Sequence, residues 1–438
     1  MEDSAFTQRF DAALAQMGRR HRRLLAIDSS DRDSEDLARE IADELLGEVP
    51  HPRGAGRDLP HRLGTPGRPE FPRGDHAVST ALPSRAPVGL TTLETRQAAA
   101  HHLWHPWSPI AVDPEQRLVI ESGEDCHVVD DRGRRFLDLR AGTLNAVVGY
   151  GQQHVVDAVA RQAAQLMTWD LAEVVTPPAA QLAARIASLT PAGLSRTLFC
   201  NSGSEGIEAA IKIARMSQRL AGHEQRTVVL SISDGYHGAT TAGIAATGSP
   251  FRREGAGPFP DGYVHLATPR CRDCTAGAGT HTCQVPGIAE WEQQILEVGP
   301  ETVAAVLVEP VLSVGGVIVP PAGSLRALAE LCTRHGILVI ADEVATGFGR
   351  TGQWFGFQHD LAPDVGPDIL VTSKGLAGGY APLSAVTVRE ELYQRFGQDA
   401  AGTPSPTDGR RSPAGRGLAD DSRVAQVPVP VPGSGTQG

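Results

Sequence analysis

The sequence predicts an α/β protein with a mostly parallel central sheet flanked by helices, and two features of the chain support that prediction. The segments 337–341 and 369–371 are continuous apolar runs that closely follow a glycine or a proline. Unbroken runs of this length are typical of strands covered on both faces. Segments with helical periodicity, such as 155–167 and 324–335, alternate with these runs, which favours parallel strands joined by helices. The second helix begins at Ser324, a residue suited to N-capping.

Each of these two apolar runs is followed by an ionisable residue, Asp342 after the first and Lys374 after the second. The carboxyl ends of parallel strands share the sheet edge where ligands bind, so we expect both side chains in one site. Lys374 and Lys212 are the two lysines of a chain that otherwise uses arginine for positive charge. An amine can lose its proton and attack a carbonyl. Lys374 therefore indicates Schiff-base chemistry, and a lysine that reaches out to solvent is the alternative.

Length, charge and cysteine content limit the class of protein. At 438 residues the chain can form one large two-lobed domain or two domains. A net charge of -11 argues against a nucleic-acid partner, because phosphate binding draws on clustered basic residues. No apolar segment has the length of a membrane span, and the acidic N-terminus does not look like a secretory signal. Six cysteines in so long a chain do not indicate a disulfide framework, so we expect a cytoplasmic protein.

A small polar loop joins a predicted strand to a predicted helix. The strand 197–200 is followed by Asn201, Ser202, Gly203 and Ser204, and the helix after them has an acidic first turn. A helix N-terminus presents unpaired N–H groups and a positive dipole end, so this loop indicates a phosphate site. Ordinary N-capping by Ser204 would explain the same pattern.

Two further strand ends carry residues suited to a ligand site. The predicted strand 227–232 leads into a glycine-flanked turn that contains Tyr236, and the strand 303–308 ends at Glu309. A tyrosine ring could lie flat against a planar cofactor, although half-buried tyrosines are also common in turns.

A cysteine-containing loop has donor types suited to zinc. Its spacing is C-x-x-C-x6-H-x-C, but the second half lacks the paired spacing of a zinc ribbon. We favour free thiols over a structural zinc and predict no metal site at Cys271, Cys274, His281 and Cys283.

Five stretches between residues 104 and 396 carry most of these residues in order: FCNSGSEGIEAAIKIAR, DGYHGAT, VLVEPVLSVGGV, LVIADEVATGFGRTG and TSKGLAGGYAPLSAV. They resemble the class III pyridoxal-phosphate-dependent aminotransferases of fold type I. The resemblance implies pyridoxal 5'-phosphate as the cofactor. It also implies a ping-pong reaction that moves an amino group from an amine or omega-amino acid donor to a keto acid or aldehyde. A racemase or aminomutase on the same scaffold is an alternative.

The resemblance also implies roles for individual residues. Lys374 would hold the cofactor as a Schiff base and, once freed, move a proton between substrate and cofactor. Asp342 would pair with the pyridine nitrogen and keep it protonated. The other implied cofactor contacts are the phosphate ligands Gly203 and Ser204, the ring neighbours Tyr236 and Val344, and Glu309 in the hydrogen-bonding shell near the ring.

The chain departs from the family pattern in three places. Ala345 stands where many members carry a glutamine. Thr143 and Leu144 stand where the diaminopelargonic acid aminotransferases, which share several of these strings, have paired tryptophans. Residues 397–438 are rich in Pro, Gly and Ser, so we expect a disordered tail in place of the usual C-terminal domain. A truncated, catalytically impaired homologue is therefore another alternative.

These observations predict the organisation of the whole chain. We expect a poorly structured extension that could form short helices over 1–90, and an N-terminal arm with part of the small domain over 91–165. The large cofactor-binding domain would follow over 166–396, before the tail. Sites of the family lie at a dimer interface, so the resemblance implies a homodimer. Its expected partners are a small-molecule donor and acceptor, with no nucleic acid and no membrane.

Overall fold

The computed structural model of the chain describes residues 91–106, 113–171, 174–269, 288–361 and 365–397. Three sequence predictions lie outside these residues. They concern the N-terminal extension, the tail beyond residue 397, and the cluster of Cys271, Cys274, His281 and Cys283.

The described chain begins with helix α1 (Thr92–His102), whose N-terminus carries a capping box between Thr91 and Glu94. Three short strands follow and pair in the order of the chain. They are β1 (Ile120–Glu124), β2 (His127–Asp130) and β3 (Arg135–Leu137). The chain divides into two units, of which the first holds the described residues up to Ser122 together with Val128–Leu137. Within this unit the guanidinium of Arg96 forms an ion pair of 2.6 Å with Asp131.

The second unit, Gly123–His127 with the residues from Asp138 onward, is built on seven strands. These are β4 (Leu194–Cys200), β5 (Val228–Ile232), β6 (Tyr263–Leu266), β7 (Val303–Val308), β8 (Leu338–Glu343), β9 (Ile369–Thr372) and β10 (Ser384–Arg389). The strand order is β4-β10-β9-β8-β7-β5-β6. Strands β5 to β9 pair in parallel, whereas β10 is antiparallel to both of its neighbours. The predicted α/β class with a mostly parallel sheet is confirmed.

Helices cover both faces of the seven-stranded sheet. The helices described in this unit are α2 (Ala141–Leu144), α3 (Gln153–Gln165), α4 (Pro177–Leu189), α5 (Gly203–Leu220), α6 (Thr241–Ala246), α7 (Pro250–Arg253), α8 (Ile288–Val298), α9 (Ser324–His335) and α10 (Glu390–Arg395), and among them α5 and α9 pack on opposite faces. Leu307 of β7 belongs to the same core cluster as Ile211 of α5, and its neighbour Val306 belongs to the other cluster with Leu328 of α9. Successive residues of one strand thus enter cores on opposite faces, as unbroken apolar runs predict.

The start of α9 corrects one expectation from the sequence. The helix does begin at Ser324, but its cap residue is Gly323, which has no side chain to accept a hydrogen bond. The carboxylate of Asp360 takes that role from a distant loop, because it accepts the N–H groups of Gly323, of Leu325 at 2.6 Å and of Arg326 at 3.2 Å. The N-terminal N–H groups of α9 are therefore satisfied by tertiary structure.

No helix in the described part of the chain combines the length and the apolar content that crossing a membrane requires.

Candidate active site

The adjacent strands β8 and β9 bring Asp342 and Lys374 to one edge of the sheet. These strands are parallel, with Asp342 opposite Val371, and Lys374 follows directly after β9 and Ser373. Burial lowers the pKa of the Lys374 amine, and the charges of Asp342 and Glu309 oppose that shift. An amine with a lowered pKa is neutral more often, and the neutral amine is the nucleophile.

Lys374 has a backbone conformation that is unusual for a residue with a side chain. Its φ is 39°, in the left-handed region, and it opens the 3-10 turn Lys374–Leu376. Such a conformation costs about 1–3 kcal/mol and persists where the surroundings impose it. The Ser373 hydroxyl donates to the carbonyl of Leu383 at 2.7 Å, and the Tyr380 hydroxyl donates to the carbonyl of Gly149 at 3.1 Å. These contacts fix the loop on either side of the amine.

Asp342 is buried and is held by two hydrogen bonds. Its Oδ2 lies 2.8 Å from Nδ1 of His237, and its Oδ1 accepts the N–H of Val344 at 3.0 Å. A carboxylate can only accept, so the imidazole donates from Nδ1. His237 is itself buried, and its Nε2 has no hydrogen-bond partner among the described residues. His237 was not predicted as a site residue, although it directly follows Tyr236 in the DGYHGAT stretch.

Glu309 connects the end of β7 to the turn that carries Tyr236. Its Oε1 accepts the backbone N–H of Tyr236 at 2.8 Å, and its Oε2 accepts the Ser313 hydroxyl at 3.0 Å. Burial raises the pKa of Glu309. Burial also raises the pKa of the half-buried Tyr236, and the positive charge of Arg252 opposes this rise. Glu309 thus positions the backbone of Tyr236 in the wall of the site.

The N-terminus of α5 leaves its first N–H groups available to a ligand. The cap residue is Ser202, whose hydroxyl accepts the N–H of Glu205 at 3.2 Å, and the Glu205 carboxylate accepts the N–H of Asn201 at 2.8 Å. The cap is therefore Ser202 and not Ser204. The earlier N–H groups of a helix have no acceptor within it, so those of Gly203 and Ser204 can bind an anion.

Close packing joins this helix end to the other site residues. A Cβ atom at Gly203 would lie 2.9 Å from Cγ1 of Val344, so only glycine fits there. A Cβ atom at Gly238, which has a φ of 116°, would lie 2.6 Å from Oγ of Ser204. The Ser204 hydroxyl also accepts the N–H of Ala239 at 3.2 Å. The predicted positions Gly203, Ser204 and Val344 are thus in one cluster with the turn after β5.

Glu343, next to Asp342, is a buried residue for which the sequence predicted no role. It is fully buried and accepts three hydrogen bonds, from the Thr346 hydroxyl at 2.5 Å and from the N–H groups of Gly356 at 2.9 Å and Phe357 at 2.8 Å. Burial raises its pKa to about 7. A loop runs from the end of β8 to the 3-10 turn Gly356–His359. The three bonds hold the start and the end of this loop against Glu343, next to Asp342.

The residues present match the needs of a phosphorylated aromatic aldehyde. The N–H groups of Gly203 and Ser204 at the start of α5 suit a phosphate. A buried carboxylate held by His237 suits a protonated ring nitrogen, and Lys374 is an amine able to condense with an aldehyde.

Comparison with known proteins gives consistent results. The family profile described as aminotransferase class-III matches residues 110–405. The adenosylmethionine-8-amino-7-oxononanoate aminotransferase of Nitratidesulfovibrio vulgaris is 35% identical over 70% of this chain and 56% of its own length. The putrescine–pyruvate aminotransferase of Pseudomonas aeruginosa is 35% identical over 70% of this chain and 68% of its own. The taurine–pyruvate aminotransferase of Bilophila wadsworthia is 38% identical over 64% of this chain and 60% of its own length.

Solved structures agree. An (S)-enantioselective omega-transaminase from Thermomicrobium roseum superposes with a TM-score of 0.65 at 36% identity, covering 70% of this chain and 68% of that one. An amine transaminase from an uncultivated Pseudomonas species, in its PLP-bound form, superposes with a TM-score of 0.61 at 34% identity. The superposition covers 67% of this chain and 66% of that one. The chain spans 56% to 68% of the length of the three curated relatives described above.

Proposed function

Because the chain belongs to the class III aminotransferases, we propose that it moves an amino group from an amine or omega-amino acid to a keto acid or aldehyde by a ping-pong mechanism. The cofactor of this family is pyridoxal 5'-phosphate. When bound, this cofactor withdraws electrons so that the carbon bearing the amino group can lose a proton. The observation that carries the proposal is that Lys374, Asp342 and the N-terminus of α5 meet at one edge of the sheet.

Each site residue has a role in this proposal. The N–H groups of Gly203 and Ser204 would bind the cofactor phosphate. The carboxylate of Asp342 would pair with the ring nitrogen, and His237 holds Oδ2 of that carboxylate in place. The remaining contacts are the ring neighbours Tyr236 and Val344, with Glu309 behind them to position the backbone of Tyr236.

Lys374 has two tasks in the proposed mechanism. Its Nζ would hold the cofactor through the aldehyde group, and when freed by a substrate amine it would move a proton at the substrate carbon. Burial supports both tasks, because it lowers the pKa of the amine and keeps a larger share of it neutral.

The relatives suggest which substrates to test first. Two of them are named as pyruvate aminotransferases, one with putrescine and one with taurine as the donor. We therefore assign a keto acid acceptor to this chain, with pyruvate as the first compound to test and primary amines as donors.

The proposal includes a cytoplasmic homodimer. Several large apolar side chains after α3 are exposed, among them Met167 at 83%, Trp169 at 62% and Val175 at 78%. Exposed apolar residues that lie close together in sequence are typical of surfaces that another chain covers. Sedimentation of the wild type and of Trp169→Glu tests this, because the variant is expected to shift toward the monomer. A monomeric wild type would contradict the homodimer.

The decisive experiment uses the low lysine content of the chain. The full chain is incubated with pyridoxal 5'-phosphate, reduced with borohydride, digested and mapped by mass spectrometry. We expect the cofactor on the peptide with Lys374, visible absorbance that disappears in Lys374→Ala, and no change in Lys212→Ala, the matched control. Equal labelling of both lysines, or none at Lys374, would contradict the proposal.

Turnover is measured separately from attachment. An amine donor should yield its carbonyl product in stoichiometric amount and convert pyruvate to alanine. Inversion or rearrangement of the amine without a carbonyl product would identify a racemase or aminomutase. Attachment at Lys374 without turnover of any amine would identify a catalytically impaired homologue.

A further inference from the structure

Two buried carboxyl groups of the site differ in the charge of their hydrogen-bond partners. The carboxylate of Asp342 bonds the imidazole of His237 at 2.8 Å, and an imidazole can carry a positive charge. Glu309 instead accepts from neutral donors, which are the N–H of Tyr236 and the N–H and hydroxyl of Ser313. Within the described part of the chain, no cation forms an ion pair with Glu309. A buried carboxylate without a cation is costly, so Glu309 is the group that favours a bound proton.

Gly235 brings Glu309 and His237 to the same small space. A Cβ atom at Gly235 would lie 3.1 Å from Nε2 of His237 and 3.7 Å from Oε1 of Glu309. This Nε2 is the buried atom that has no hydrogen-bond partner among the described residues, and the Nδ1 of the same ring bonds Asp342. Glu309, His237 and Asp342 therefore form a row of three buried ionisable groups, and the row ends at the carboxylate proposed to pair with the ring nitrogen of the cofactor.

The charges in this row act on one another. Burial is the main cause of the raised pKa of Glu309, while the charge of His237 opposes the rise and the negative charge of Asp342 adds to it. Tyr236 and Lys374 are the other ionisable groups that respond to the charge of Glu309. A cation bound to Asp342 would offset the negative charge there, and the pKa of Glu309 would then fall.

Ser313 allows Glu309 to keep a hydrogen bond in both of its forms. In the ionised form, Oε2 of Glu309 accepts the Ser313 hydroxyl at 3.0 Å. A hydroxyl group can rotate, so a protonated Oε2 can donate to Oγ of Ser313 in the same position. Ser313 is half-buried, and its hydroxyl therefore gives a proton of the buried carboxyl group a path to solvent.

We infer that Glu309 holds a proton in the cofactor-free chain and releases it to solvent when the positively charged ring of the cofactor binds Asp342. The O–H bond at Oε2 breaks, the proton leaves through the hydroxyl of Ser313, and the ionised carboxylate adds a second negative charge near the ring. Because binding releases a proton, this group makes the affinity for the cofactor rise with pH. The inference rests on the proposed function, because it concerns the cofactor of the same site.

The test uses a ligand that cannot condense with Lys374. The cofactor-free full chain is saturated with pyridoxine 5'-phosphate, which has an alcohol in place of the aldehyde. Infrared difference spectra then report the C=O band that a protonated carboxyl group shows and an ionised one lacks. We expect the wild type to lose the band intensity of a single carboxyl group on binding. Benzyl phosphate, which has an aromatic ring and a phosphate but no ring nitrogen, should leave the band unchanged.

Calorimetry with variants assigns the proton to Glu309. Pyridoxine 5'-phosphate is titrated into the chain in two buffers of different ionisation enthalpy, which gives the number of protons released at each pH. Between about pH 6 and 9, the wild type should release up to about one proton more than Glu309→Gln. This excess should fall toward low pH, where Glu309 keeps its proton in both states. Glu390→Gln is the matched control and should behave like the wild type, because Glu390 pairs with Arg196 and its pKa is lowered to about 2.

Four results would overturn the inference. Two of them need no variant and decide the matter even if Glu309→Gln fails to fold: a carboxyl band that pyridoxine 5'-phosphate leaves unchanged, and an equal loss of the band with benzyl phosphate. The third is equal proton release by the wild type and a folded Glu309→Gln. The fourth is a band loss that persists in Glu309→Gln and disappears in Glu343→Gln, which would make Glu343 the group that holds the proton. Failure of pyridoxine 5'-phosphate to bind, or of the cofactor to attach at Lys374, would instead count against the proposed function.

Discussion

Glu343 makes a quantitative prediction about stability and pH. Its carboxyl is fully buried and its pKa is raised from 4.5 to about 7, mainly because burial disfavours the charged form. A raised pKa means that the folded state binds the proton more tightly than the unfolded chain does. The stability that this group contributes is therefore complete below about pH 4.5 and is lost as the pH rises through about 7. The difference corresponds to about 3 kcal/mol.

Glu343→Gln removes this pH dependence. The amide oxygen of the variant can keep the bonds from Thr346 and Gly356, but its NH2 group then faces the N–H of Phe357. At about pH 4.5 and below, the variant should therefore be less stable than the wild type by about 1–3 kcal/mol. This advantage of the wild type should shrink by about 3 kcal/mol as the pH rises from about 4.5 to 8.

The assay is urea unfolding of wild type and variant, followed by circular dichroism at half-unit steps across this range. The control is Glu390→Gln. Hydrogen bonding from Arg196 lowers the pKa of Glu390 to about 2, so its ionisation does not change in the window. A constant difference between wild type and Glu343→Gln would refute the reasoning, because it would mean that the buried carboxyl does not change its ionisation there.

Three further substitutions test the site and the fold. Gly238→Ala places a methyl group against Ser204 at a left-handed φ, so we expect a loss of about 1–3 kcal/mol in urea unfolding together with weaker cofactor binding; normal stability would contradict the close packing. His237→Phe removes the hydrogen bond to Asp342, and cofactor affinity measured by absorbance titration should fall roughly tenfold; unchanged affinity would exclude a positioning role. Asp360→Ala uncaps α9 and should lower stability by about 1–2 kcal/mol without changing cofactor affinity.

Much of the fold could be predicted because its signals are local. The strand 303–308 was predicted with the bounds that the structure has, since a run of six apolar residues between polar ones has few other solutions. Strands with weaker signals were missed, such as β6 with the sequence YVHL. The antiparallel placement of β10 between β4 and β9 was not predictable either, because its apolar run would suit a parallel strand equally well.

Some of the reactive residues of the site could likewise be predicted from the sequence, and others could not. Lys374, Asp342 and Gly203 could be singled out because each sits where a predicted strand or helix begins or ends. His237 could not, because its importance depends on Asp342, a partner 105 residues away in the chain.

The order of residues in the chain is enough to predict the alternation of buried strands and helices. It also predicts the class of fold and the presence of an amine and an acid at strand ends. These follow from periodicity and from what each side chain can do. The three-dimensional arrangement alone brings distant groups together, such as the imidazole that holds Asp342 and the carboxylate that caps α9. Such pairings depend on strand order and on which loops meet at the sheet edge, and no local pattern in the chain encodes them.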